Sequence, residues 1–178
     1  MKKLFSILGL SVLLGFVWFG PVLHAQANTA AATTTILTPA DTAKIAPPTV
    51  FFRGQSASLQ ARNTFGIRYV DSAVVLMGLV DSSGYSTGIQ QKYQGYFLTE
   101  VPLEFSGKRL APGAYGFGFI GSNAFIIMDL GAHELLRVQW TRDAAMPRPR
   151  PLQIVNGAHA DQFRLYEGRK FVSFQRAK

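Results

Sequence analysis

From Thr49 onward, apolar and polar residues change places at every second position, the spacing of a strand with one buried face. In Ala57-Ser58-Leu59-Gln60-Ala61-Arg62 the two kinds alternate, and in Val101-Pro102-Leu103-Glu104-Phe105 the residues Val101, Leu103 and Phe105 share one face. Leu136, Val138 and Trp140 repeat the pattern around Arg137 and Gln139, as Val172 and Phe174 do around Ser173. Pro102 has no N–H to give to a ladder, so its strand is expected at a sheet edge or beside a bulge. Two segments, Ala73 to Val80 and Ala124 to Met128, are apolar throughout. Short runs of this kind suit central strands covered on both faces.

Turn residues fall between these runs: Asp81-Ser82-Ser83-Gly84, Ser106-Gly107, Pro112-Gly113, Gly121-Ser122-Asn123, Asn156-Gly157 and Glu167-Gly168. Many short strands punctuated in this way predict an all-β fold, an antiparallel β-sandwich, with a small β-barrel as the alternative. At most one short helix is expected, from Ile89 to Gln94, opened by Thr87 and stopped by Gly95. Met146-Pro147-Arg148-Pro149-Arg150-Pro151 must be extended, because proline at every second position suits neither a helix nor a central strand. It should join the main sheet to a terminal hairpin, Phe163 to Tyr166 with Phe171 to Gln175.

The first 27 residues are of another kind. Lys2 and Lys3 precede an uncharged run from Leu4 to Phe19, Gly20-Pro21 breaks it, and Ala25-Gln26-Ala27 supplies a small-x-small cleavage site. This is the anatomy of a secretory signal peptide cut near Ala27. As a helix the run would span roughly 24 Å, short of the ~30 Å bilayer core. Residues 28–48, rich in Ala, Thr and Pro, carry too little apolar bulk to offset the entropy of ordering, so a flexible leader is expected there. A single β domain over residues 49–178 should follow, exported to the periplasm or secreted.

Composition narrows the chemistry. The 178-residue chain has no cysteine, which excludes disulfides, thiolate metal sites and cysteine nucleophiles. Its net charge of +8 is unevenly placed. Residues 28–136 hold seven basic and seven acidic residues, whereas residues 137–178 hold nine basic residues against Asp143, Asp161 and Glu167. Arg137, Arg142, Arg148, Arg150, Arg164, Arg169 and Lys170 therefore form a candidate patch for an anionic surface, with a solvated basic face as the plain reading. His133 and His159 are the histidines beyond the leader, too few for a histidine zinc site. No Gly-x-Ser-x-Gly elbow and no phosphate loop occurs, so no cofactor is expected.

In Ala114-Tyr115-Gly116-Phe117-Gly118-Phe119-Ile120 the aromatic residues project to one face and the glycines leave the other bare. Core aromatics beside a close neighbour are the plain reading, and a bare strand that admits a ligand or partner backbone is the functional one. If Tyr96, Tyr115, Phe117 and Trp140 line an open groove, they form a candidate binding surface. Just before this segment, Gly107-Lys108-Arg109-Leu110-Ala111-Pro112-Gly113-Ala114-Tyr115 resembles a hairpin of uncharacterised exported bacterial β-sandwich families, Gly-Lys-x-Leu-x-Pro-Gly-x-Tyr. The likeness extends over residues 101–125 and implies the sandwich fold but no activity.

The pattern therefore points to a non-catalytic binding or structural module of the cell envelope or exterior. An envelope protein, a glycan or an anionic surface are the partners left open, and specific nucleic-acid binding is not expected. The alternatives are an envelope or extracellular hydrolase, using His133 with Asp129 or Glu134, and a small outer-membrane barrel.

Overall fold

Each of the alternating segments forms a strand in the computed structural model of the protein, which describes residues 33–178. The strands in chain order are β1 (Thr35–Leu37), β2 (Thr49–Phe52), β3 (Gln55–Arg68), β4 (Val74–Val80), β5 (Gly95–Thr99), β6 (Leu103–Phe105) and β7 (Lys108–Leu110). They continue as β8 (Gly113–Ile120), β9 (Ala124–Met128), β10 (Glu134–Gln139), β11 (Thr141–Arg142), β12 (Gln153–Asn156), β13 (Gln162–Glu167) and β14 (Lys170–Arg176). Two single-turn helices, α1 (Pro39–Thr42) and α2 (Thr87–Gln90), complete the set among the described residues. The signal-peptide segment lies outside the described residues.

The strands build two antiparallel sheets. The first runs β1-β3-β4-β5-β8-β9-β10, with β2 added to β3; the second runs β12-β13-β14-β6-β7, with β11 added to β14. Neither closes on itself, so the fold is a β-sandwich and the barrel alternative falls away. Between the sheets, Ile67, Val75, Met77, Phe97, Phe117, Phe125 and Ile127 of the first meet Leu103, Phe105, Ile154, Phe163, Leu165, Val172 and Phe174 of the second. Phe105 is the hinge of this core. Its ring stacks on Phe174 at 5.4 Å and on Phe125 at 5.8 Å, and meets Phe97 edge-on at 6.1 Å.

The apolar runs lie where both faces are covered, as expected. Ile126 and Met128 point away from the main core into a second cluster with Val50, Phe52, Ala57, Val80, Tyr85, Ile89 and Tyr93. The β2–β3 hairpin and the α2 segment cover this outer face. Phe52 and Tyr93 stack at 3.8 Å, and the Tyr85 hydroxyl donates to Phe52 O at 3.0 Å and to Gln55 O at 2.9 Å.

Three expectations need correction. The leader is ordered from Thr35 to Thr42. β1 pairs with Gly66 to Arg68 of β3, and the Thr42 hydroxyl of α1 donates to Thr64 O at 3.0 Å. The signal was the local pattern Thr38-Pro39-Ala40-Asp41, in which proline suits the first helical position and Asp41 accepts from the Thr38 backbone N–H at 2.9 Å. The helix expected from Ile89 to Gln94 is one turn that starts at Thr87 and stops at Gln90. It ends early because Gln94 is bound to β8, its N–H donating to Phe117 O and its amide bridging Phe119 N and O. Finally, β6 is an interior strand between β14 and β7. Pro102 precedes it, where the chain crosses from the first sheet to the second, and needs no edge.

The Ser106-Gly107 turn joins β6 to β7 with both residues at positive φ, 49° and 80°, as a two-residue hairpin of the favoured hand requires. Leu110 is buried, and the Tyr115 hydroxyl donates back to Ala111 O at 2.9 Å, tying the Pro112-Gly113 bend to the strand that leaves it.

Candidate functional site

Strand alternation separates the four aromatic residues expected to share a groove. Tyr96 on β5 is paired with Gly116 on β8, so it faces the outer cluster, while Tyr115 and Phe117 on either side of Gly116 point into the main core. Phe117 is 1% exposed. Trp140 stands apart, part-buried between β10 and β11 where the chain passes from one sheet to the other. The four form no common surface. The bare face of β8 is also occupied: a Cβ on Gly116 would lie 2.5 Å from the Phe52 ring, and one on Gly118 would lie 2.1 Å from Lys92 O.

The proposed hydrolytic residues sit in an exposed turn. Asp129 Oδ1 accepts from the backbone N–H of Gly131 and of His133, both at 2.9 Å, and its Oδ2 lies 3.0 Å from His133 Nδ1. These bonds hold the Asp129 carboxyl below the usual carboxylate range. The His133 side chain is 81% exposed. Glu134 is committed to Arg137, whose guanidinium Nε donates to it at 2.7 Å. Asp129 thus caps a turn, and His133 lines none of the cavities described below.

The seven basic residues divide. Arg137 is held by Glu134 on β10, and Arg164 lies over the Phe171 ring at 4.7 Å. The other five gather around the β13–β14 turn. β11 lies against β14 with Arg142 directly across from Lys170. Arg169 Nη1 donates to Ala144 O and Met146 O, both at 2.7 Å, and Gly168 N donates to Arg150 O at 2.9 Å. The proline-rich connector is thereby tied to the turn, and Arg148 and Arg150 are left exposed along it. Under the connector, the hydroxyl of buried Tyr166 donates to Asp143 at 2.9 Å.

These ties border an open, shallow depression of about 520 Å³ lined by Leu79, Arg142, Pro149, Pro151, Glu167, Gly168, Arg169 and Lys170. Lys170 is paired with Glu167 at 2.9 Å and lies 5.7 Å from the centre of the Trp140 ring. Arg142 has no ion-pair partner among the described residues. Of the patch expected from sequence, Arg142, Arg169 and Lys170 line the depression. Leu79, Pro149, Pro151 and Glu167 were not anticipated as site residues; Leu79 reads only as part of an apolar strand, and its partial exposure is set by how the connector folds.

A larger hollow of about 640 Å³ lies at Thr34, Tyr69, Val70, Asp161, Gln175, Arg176 and neighbours. There Arg176 bridges to Asp71 at 2.7 Å and lies over the Tyr69 ring at 5.2 Å. Tyr69 is buried, its hydroxyl has no partner, and burial pushes its ionisation up to about 12. Below pH 10.0 the phenol keeps its proton in folded and unfolded chains alike. Above that, the unfolded chain ionises first, so stability should fall as pH rises from about 10 to about 12. Urea unfolding across that range should show the decline, and Tyr69→Phe should make it shallower, leaving the share of the other buried tyrosines, Tyr93 foremost. An unchanged slope in the variant would place the cause elsewhere.

No family model, no curated protein and no solved structure matches the chain.

Proposed function

We propose that the chain is an exported, non-catalytic β-sandwich module that binds an anionic component of the cell envelope or exterior through the depression at the β13–β14 turn. The observation that carries the reading is the cross-strand pair Arg142 and Lys170. Like charges directly opposite each other on neighbouring strands destabilise a sheet. Here a third cation, Arg169, is fixed beside them through one nitrogen, with its remaining donors uncommitted. Glu167 offsets Lys170, and an anion shared by the three cations would relieve the charge that remains. Export is supported by the signal-peptide pattern of the first 27 residues.

Arg142→Glu tests the reading because it moves two properties in opposite directions. An acidic residue across from Lys170 should raise stability by roughly 0.2–1 kcal/mol. The same change should weaken low-salt retention on heparin or acidic liposomes by about tenfold or more, since it removes one cation and adds a competitor. Glu167→Gln, which frees Lys170, should strengthen retention. Wild-type retention that is indifferent to salt, or that survives Arg142→Glu intact, would refute the assignment.

A further inference from the structure

Three features of the depression bear on what kind of anion it takes. Its cations are Arg142 and Lys170, side by side on β11 and β14, and Arg169 in the adjoining turn. Leu79, Pro149 and Pro151 form the rest, with the backbone of Gly168 and the committed carboxylate of Glu167. None of the eight lining residues is Ser, Thr, Asn, Gln, Tyr or His, and the two prolines lack N–H donors. The wall therefore sets charged groups beside hydrocarbon, the two chemistries an amphiphile combines.

Resting on the anion-binding reading above, we propose that this depression takes an anionic amphiphile: a phosphate- or carboxylate-headed molecule whose anionic group lies among Arg142, Arg169 and Lys170 while the adjoining hydrocarbon lies against Leu79, Pro149 and Pro151. The recessed position of Leu79, below the exposed Pro149 and Pro151, favours a single molecule over a bilayer. A flat membrane engages residues that protrude, whereas Leu79 is half-buried on a central strand and reaches only hydrocarbon that comes into the hollow. The connector is fixed at both ends of the site by the Arg169 and Gly168 hydrogen bonds, so the apolar wall is in place before a ligand arrives.

Calorimetric titration with inorganic phosphate, then with butyl, hexyl and octyl phosphate below their micelle concentrations, tests the proposal. Affinity should rise about two- to fourfold per methylene over the first few carbons, up to the value for full burial of a methylene. Pro149→Ser and Pro151→Ser, on the exposed connector, should flatten that rise, the loss growing with each added carbon from inorganic to octyl phosphate. Arg142→Gln should weaken every member of the series. Equal binding of inorganic and octyl phosphate would overturn the amphiphile and leave the anion reading standing. No binding of any member at low salt would overturn both. Binding to acidic vesicles that octyl phosphate fails to displace would assign the site to a membrane surface and overturn the proposal.

Discussion

Replacing Phe105 by alanine is expected to cost about 3–5 kcal/mol, the range for removing a buried phenylalanine and leaving its cavity. The ring is 0% exposed and touches aromatic partners from both sheets, Phe97 and Phe125 on one side and Phe174 on the other. β6 is only three residues long, so few backbone bonds compensate when the ring is lost. A small domain has roughly 5–15 kcal/mol to lose, and the variant should unfold at a far lower urea concentration. Phe105→Leu, which keeps much of the volume, should lose much less. A loss under ~1 kcal/mol for the alanine variant would mean that this ring does not clamp the sheets.

Gly118→Ala should be nearly as damaging although it adds one methyl group. The new Cβ would lie 2.1 Å from Lys92 O and 3.0 Å from Lys92 C, backbone atoms of a segment that Gln94 pins to β8. Neither side can yield without breaking those bonds, so a cost of ~3 kcal/mol is expected, the upper part of the overpacking range. Gly88→Ala provides the contrast. Nothing lies within 4 Å of its Cβ position and it sits in α2, where alanine is the better helix former. That variant should be neutral or stabilised by up to ~1 kcal/mol. Equal unfolding midpoints for the two variants would show that the 92–94 segment is not packed on β8.

The two substitutions bear on the binding site as well, because the depression belongs to no single element. Leu79 comes from β4 in the first sheet, Arg142 and Lys170 from the second, and the prolines from the connector that joins β11 to β12. Loosening the sandwich at Phe105 should weaken anion binding in proportion to the unfolded fraction. Arg142→Glu should weaken it with the fold intact. The pair of variants thus separates loss of the site from loss of the scaffold.

How far the sequence reaches can be followed residue by residue. Alternation at Leu136, Val138 and Trp140, or at Val172 and Phe174, depends on which side of a pleat each side chain takes. That is a local property, and it carried the sandwich class and most of the strands. The apolar runs at Ala73 to Val80 and Ala124 to Met128 announced that both their faces would be covered, but not by what. The β2–β3 hairpin and Tyr93 on the outer face are contacts between residues far apart in the chain, invisible to any short window. The glycines at 116 and 118 recorded a close neighbour without naming Phe52, Tyr93 or Lys92.

The site divides along the same line. A surplus of basic residues after Arg137 is a matter of composition, and the chain alone supplies it. That Arg142, Arg169 and Lys170 meet, while Arg137 is taken by Glu134 and Arg164 by Phe171, follows from strand register and from the path of the connector. Register is set by the packing of whole sheets, and only the folded molecule determines it.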